Sequence, residues 1–90
     1  MPQRVKRGDE QIEIIQQITD ALKELRDDAT VPRNVKLKLQ NTITILEKQV
    51  DVSLRVDRAH QELDEIADDV NLQPYTRTQI WSIVSMLEKI

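Results

Sequence analysis

Residues 22–39 read LKELRDDATVPRNVKLKL and decide the fold, because they hold the end of one helical pattern and the start of the next. Before the acidic pair, apolar residues recur in steps of three and four, which places them on one face of a helix. The same spacing resumes at Val35 and Leu39. Between the patterns Thr30 can cap the second helix, with Pro32 in its first turn, where the missing N–H costs nothing. The stretch therefore predicts a helical hairpin.

Outward from this hairpin, the rest of the chain continues the same helical spacing, which indicates four helices with one apolar face each. These faces consist of Ile15, Ile18, Leu22, Leu25 and Ala29; Val35, Leu39, Ile43, Leu46 and Val50; Val52, Val56, Ala59, Leu63, Ile66 and Val70; and Ile80, Ile83, Val84 and Leu87. From them we predict eight buried core residues, namely Ile18, Leu22, Leu39, Leu46, Leu63, Ile66, Val84 and Leu87.

The two halves of the chain resemble each other at an offset of 41 residues. LKELRDD at 22–28 falls on LDEIADD at 63–69, and Thr30 falls on Asn71, which precedes Pro74 and is predicted to cap the fourth helix. This similarity suggests an internal duplication, and two such hairpins bury their apolar faces by closing on each other. We therefore predict an all-α, up-and-down four-helix bundle built from two similar helical hairpins. The cap of the third helix stays open between Asp51 and Ser53.

Length and composition favour one small domain of 90 residues, with residues 9–90 as the bundle. Residues 1–8 are basic and lack an apolar core, so we expect a flexible tail rather than a signal peptide. No apolar run is long enough to span a membrane, and there is no cysteine, which excludes disulfides and thiolate metal sites. We expect a cytoplasmic protein, and the net charge of −3 argues against a general nucleic-acid binder.

Residues that would support catalysis are sparse. The only glycine is Gly8, so there is no glycine-rich phosphate loop. The only histidine, His60, lies at the edge of the third apolar face without the partners that catalysis or metal binding needs. The acidic ends of helices 1 and 3 lack the spacing of a calcium loop. We therefore predict no catalytic residue, no cofactor and no metal site.

Charged residues at the turns of the two hairpins form the candidate binding site. Acidic residues end the first and third helices and basic residues begin the second and fourth, so both signs oppose the helix dipoles. In an up-and-down bundle, residues 26–36 and 67–77 meet at one end. Residues that are unfavourable for local structure, such as charges that oppose a helix dipole, are often found at functional sites. The candidate partner-binding residues are Asp27, Asp28, Arg33, Asn34, Lys36, Asp68, Asp69, Tyr75 and Arg77.

Two segments carry a family resemblance: VPRN at 31–34, after an acidic helix end, and RTQIWSIVSMLE at 77–88. Together they resemble a small archaeal family known as uncharacterised protein family 0147. The resemblance extends over nearly the whole chain after the tail. It implies a compact four-helix bundle without an established activity, and it brings no catalytic residues.

Two hypotheses for function follow. The first is a non-catalytic module that binds another protein or itself, and Ile45 and Met86, which correspond at the 41-residue offset, offer an apolar patch for self-association. The second is a factor associated with RNA or nucleoprotein that uses the basic residues at the turns. The two differ in salt dependence, since phosphate binding weakens steeply as salt rises. Neither hypothesis involves a membrane.

Overall fold

The computed structural model describes residues 7–90, and the amphipathic segments of the sequence form helices throughout this range. The helices are α1 (Arg7–Arg26), α2 (Arg33–Glu47), α3 (Val52–Ala67) and α4 (Pro74–Leu87). There is no β-strand among the described residues, which confirms the all-α prediction. No described helix combines the length and apolar content that a bilayer crossing requires.

The four helices contact each other in a closed ring. α1 packs on α2, α2 on α3, α3 on α4, and α4 returns to α1. Since each connection is short, consecutive helices run antiparallel, and the chain forms the predicted up-and-down bundle. The α1–α2 and α3–α4 turns therefore lie at one end of the bundle. The α2–α3 connection lies at the other end.

The core lies between the four apolar faces. All eight predicted core residues are buried, from Ile18 at 0% exposure to Val84 at 5%. The structure adds Val31 and Leu72, each 4% exposed, which lie in the two turns and cover the core from the end of the bundle. Thr19 and Thr42 are also buried, and each hydroxyl donates to the backbone carbonyl four residues earlier, so the polar group is satisfied.

Three predicted members of the apolar faces lie outside the helices. Ala29, Val50 and Val70 fall in connections, and Val70 is 90% exposed. In these places the apolar residues keep a helical spacing beyond the end of the helix. The prediction therefore ran too far, because periodicity alone does not mark where a helix stops. Trp81 is 47% exposed, so about half of this residue is open to solvent. Ile45 and Met86 are half-buried, so they do not form a fully exposed patch.

The residues predicted as helix caps take other roles. Neither α2 nor α4 receives a side-chain cap hydrogen bond. Thr30 and Asn71 each lie two residues before the N-cap position, too early to reach the first helical N–H groups, so the prediction that they cap these helices is wrong. Asp51 occupies the N-cap position of α3, without a side-chain cap bond.

The predicted tail, residues 1–8, falls mostly outside the described residues. Residues 1–6 are not described, whereas Arg7 and Gly8 form the first two residues of α1. The helix therefore begins two residues earlier than the apolar pattern indicated. At its other end it stops at Arg26 instead of Ala29.

Candidate binding surface at the turn end of the bundle

The α1–α2 and α3–α4 turns share one geometry. In each, an aspartate carboxylate accepts a hydrogen bond at 2.8 Å from the backbone N–H two residues later, from Thr30 to Asp28 and from Asn71 to Asp69. The backbone hydrogen bonds that close the two turns also recur at the 41-residue offset, as from Val31 to Asp28 and from Leu72 to Asp69. The two turns thus share the same backbone hydrogen bonds. Together, residues 26–36 and 67–77 form what we call the turn end.

These hydrogen bonds favour the charged form of both aspartates. The pKa of Asp28 is lowered from its ordinary value, first by the backbone N–H and then by the hydroxyl of Thr30, with a smaller contribution from Lys36. The pKa of Asp69 is lowered by the backbone N–H of Asn71 and then by the side-chain amide of Asn34. Both carboxylates therefore serve as acceptors that organise the turns.

Arg77 ties the end of α3 to the start of α4. Its Nε donates to the carbonyl oxygen of Ala67 at 2.9 Å, and its Nη2 donates to that of Asp69 at 2.8 Å. These carbonyls lie at the C-terminal, negative end of α3, where a cation is favourable. Lys36 stands at the same position in the other hairpin and makes no such bond among the described residues.

A side-chain contact joins the two turns to each other. The amide nitrogen Nδ2 of Asn34 donates to Oδ2 of Asp69 at 3.0 Å, across a separation of 35 residues in sequence. This contact confirms that the turns meet at one end of the molecule. Within the first hairpin, Arg26 pairs with Asp27 at 3.1 Å and donates to Gln40 on α2 at 2.7 Å.

The structure therefore divides the nine predicted site residues into two groups. Five have hydrogen-bonding roles within the bundle: Asp27, Asp28, Asn34, Asp69 and Arg77. The other four make no side-chain hydrogen bond or ion pair among the described residues: Arg33, Lys36, Asp68 and Tyr75. None of the three bases forms an ion pair among the described residues, and the guanidinium of Arg77 binds backbone carbonyls instead of carboxylates.

Large apolar side chains also project from this end. Among the large hydrophobic residues of the described chain, the three with the largest exposed fractions are Val70 at 90%, Leu37 at 68% and Tyr75 at 67%. Val70 lies in the second turn, Tyr75 in the first turn of α4, and Leu37 next to Lys36 on α2. Arg33 and Leu37 are four residues apart and so are neighbours on the outer face of α2. Sequence reasoning missed Val70, because it continued the helical stripe.

His60 has the position predicted for it, half-buried at the edge of the apolar face of α3. Its Nδ1 lies 3.2 Å from the carboxylate of Asp64 and its Nε2 lies 3.7 Å from that of Glu88. Within the described part of the chain, no group of three or more potential ligands is arranged to hold a metal ion. The imidazole thus lies between a carboxylate of its own helix and one at the C-terminal cap of α4.

A comparison with known families identifies the chain. The family model described as Uncharacterised protein family (UPF0147) matches residues 2–90. The chain belongs to this family. It is 39% identical over 79 residues to a UPF0147 protein of Methanocaldococcus jannaschii, covering 87% of this chain and 85% of the relative. It is 38% identical to a UPF0147 protein of Thermococcus kodakarensis, covering 87% and 96%.

Two solved structures agree with the fold. The crystal structure of MMP1188, a protein of unknown function, matches with a TM-score of 0.82 and 36% identity, over 99% of this chain and 98% of that one. The crystal structure of a UPF0147 protein from Thermoplasma acidophilum matches with a TM-score of 0.82 and 32% identity, over 86% and 92%. These comparisons establish the family and the fold, and the family description names no activity.

Proposed function

We propose that this UPF0147 protein is a non-catalytic module that binds another protein through the turn end. The observation that carries the proposal is the position of the three most exposed large apolar side chains, which all belong to this end or border it. An exposed apolar group on its own needs no explanation. The proposal therefore rests on the concentration of the three at one end, beside charged side chains, and not on a continuous apolar patch.

The charged residues around this apolar group favour a protein partner. Arg33, Lys36 and Asp68 have no side-chain partner among the described residues, so they are available to a ligand without breaking internal bonds. Tyrosine and arginine are also the residue types that dominate binding energy at protein interfaces. Tyr75 and Arg33 would be the anchors of such an interface.

The fixed turns support the same proposal through pre-organisation. The carboxylates of Asp28 and Asp69 hold their turns, Asn34 joins them, and Arg77 fixes the end of α3. A surface that is already ordered loses less conformational entropy when a partner binds. The internal hydrogen bonds thus present the exposed residues in a constant arrangement.

An RNA-binding role is the alternative, and the charge distribution at the turn end disfavours it. The nine candidate residues include four aspartates against three cations, and the aspartates would repel a phosphate backbone. A protein partner of mixed charge fits this pattern better. Binding that survives high salt and nuclease would support the protein partner, whereas steep loss with salt would support RNA.

The test is a triple substitution that spares the bundle: Arg33→Glu, Lys36→Glu and Tyr75→Ala. Arg77 is left intact, because its substitution would disturb the end of α3. The matched control changes exposed residues at the opposite end, Ile12→Ala with Lys89→Glu. Affinity purification from the organism that encodes the protein, with nuclease present, should lose specific partners for the triple variant and keep them for the control. An unchanged partner list with a folded triple variant would refute the proposal.

The non-catalytic part of the proposal has its own test. His60, the only histidine, lies near the carboxylates of Asp64 and Glu88, and these two contacts include no hydroxyl or thiol nucleophile. Purified protein should therefore show no phosphoesterase or peptidase activity that follows the protein through purification. Activity that His60→Ala abolishes while the helical content stays unchanged would disprove this part.

A further inference from the structure

A second surface lies at the opposite end of the bundle, between the end of α2 and the start of α3. It is a cleft of about 140 Å³, which we call the basic cleft. Its lining residues are Ile45, Lys48, Val50, Leu54, Arg55 and Arg58. None of them belongs to the turn end, so the cleft stands apart from the function proposed above.

The apolar residues that line the basic cleft, which we call its floor, are partly open to solvent. Leu54 is 49% exposed, Val50 is 43% exposed and Ile45 is half-buried. The cleft is smaller than the ~300–1,000 Å³ usual for cofactor and drug-like ligand sites. A single apolar anchor side chain is the occupant that such a volume suits.

Positive charge surrounds this floor on a chain that is negative overall. Lys48, Arg55 and Arg58 line the cleft together with apolar residues, and no carboxylate lines it. None of the three cations makes an ion pair among the described side chains. Arg55 is held in place by a 3.0 Å hydrogen bond from Nη1 to the carbonyl oxygen of Leu46. The chain as a whole carries a net charge of −3, so this cation-only lining is a local exception to its overall charge.

We propose that the basic cleft docks an acidic amphipathic helix of another protein. A helix lying in a groove presents apolar anchors at steps of three and four residues, and one such anchor would fill the floor beside Leu54. Glutamate or aspartate residues flanking the anchor would meet Lys48 and Arg58, which are exposed. The planar guanidinium of Arg58 can bind a carboxylate in a bidentate manner. Arg55 contributes positive charge alone, because its Nε is buried and its Nη1 is bonded to the carbonyl of Leu46. Complementary charge would also steer the partner and select against basic helices.

The composition of the cleft favours this occupant over RNA. Single-stranded nucleic acids bind where bases stack on aromatic side chains beside a basic groove. No aromatic residue lines the basic cleft, and its floor is aliphatic. An acidic amphipathic helix would place aliphatic anchors against the apolar lining and carboxylates against the cations. Phosphates would contact the cations alone.

The probe is a designed 16-residue helical peptide with leucine at positions 5, 8 and 12, glutamate at the flanking positions and alanine elsewhere. Titration into ¹⁵N-labelled protein should shift the amide resonances of residues 45–58 and leave those of residues 26–36 unmoved. A matched peptide with lysine in place of glutamate should produce no shifts. Arg58→Glu and Leu54→Ser should each weaken binding at least tenfold, since both residues are exposed and their substitution leaves the core intact.

Control substitutions at the turn end, Arg33→Glu and Leu37→Ser, should change the peptide affinity less than twofold. This separates the inference from the proposed function, because either surface can fail its test while the other passes. Four results would overturn the inference: no shifts with the acidic peptide at millimolar concentration, equal binding of the lysine peptide, displacement of the peptide by oligouridine, or a homodimer that Leu54→Ser dissociates.

Discussion

Substitution of Arg77 by alanine tests the role that the structure gives to this residue, and the chain supplies its own control. Arg77 and Lys36 occupy equivalent positions in the two hairpins, yet only the arginine donates to the carbonyls at the end of the preceding helix. Both substitutions remove one positive charge from the first turn of a helix. Only Arg77→Ala also removes two hydrogen bonds and leaves two carbonyls without their donor.

The magnitude follows from those two bonds. A hydrogen bond to a charged group contributes about 1.5–3 kcal/mol net. Since Arg77 is half-buried, water replaces part of the loss, and we expect Arg77→Ala to reduce the free energy of unfolding by about 2 kcal/mol in total. For a domain of this size, that corresponds to a decrease in Tm of roughly 8–16 °C. Lys36→Ala should change the free energy of unfolding by less than about 0.5 kcal/mol.

Urea denaturation gives the comparison, followed by helical circular dichroism and by the fluorescence of Trp81, the only tryptophan. Arg77→Lys should fall between the two, because lysine keeps the charge near the end of α3 but loses the planar fork. Equal costs for Arg77→Ala and Lys36→Ala would refute the reasoning, as would a cost of Arg77→Ala below about 0.5 kcal/mol.

Three further predictions concern the core and the turns. Leu63→Ala should reduce the free energy of unfolding by about 2–5 kcal/mol in urea titrations. Leu37→Ala should change it by less than about 0.5 kcal/mol. Equal effects would mean that the buried and exposed faces of the helices are misassigned. Asn34→Ala should cost less than about 1 kcal/mol in the same assay, because the bond to Asp69 is exposed, and a larger loss would contradict this. The lowered pKa of Asp69 means that its contribution to stability is present above about pH 4 and is lost as the pH falls through the folded-state pKa. Asp69→Asn should therefore lose less stability than the unchanged protein between pH 5 and pH 2, and a greater loss would count against the assignment.

The fold was predictable because helical spacing reports directly on burial. Leu22 and Leu63 belong to apolar series that repeat with the period of a helix. The apolar face of one hairpin can be buried only against the apolar face of the other hairpin. The same spacing failed at the helix ends. Val50 and Val70 continue the pattern for one more turn, but the chain has already left the helix there.

The site was only partly predictable, because its hydrogen bonds depend on the local path of the turns. The sequence places acids and bases at the turn end, but it does not show that Asp28 accepts from Thr30 or that Arg77 reaches two backbone carbonyls. The burial of Val31 and Leu72 was also missed, since each lies outside a helical stripe. Their match at the 41-residue offset was the signal that would have found them. The basic cleft joins residues from two helices and a connection, so no single periodic pattern contains it.

Site-specific photocrosslinking is the most direct test of the central claim that the turn end binds a protein. Benzoylphenylalanine would replace Tyr75 in the organism that encodes the protein, with Ile12, exposed on α1 near the opposite end, as the matched control position. Irradiation should give a discrete protein adduct from position 75 that survives nuclease and high salt, and no such adduct from position 12. Absence of an adduct at position 75, equal adducts at both positions, or an adduct that nuclease removes would contradict the claim.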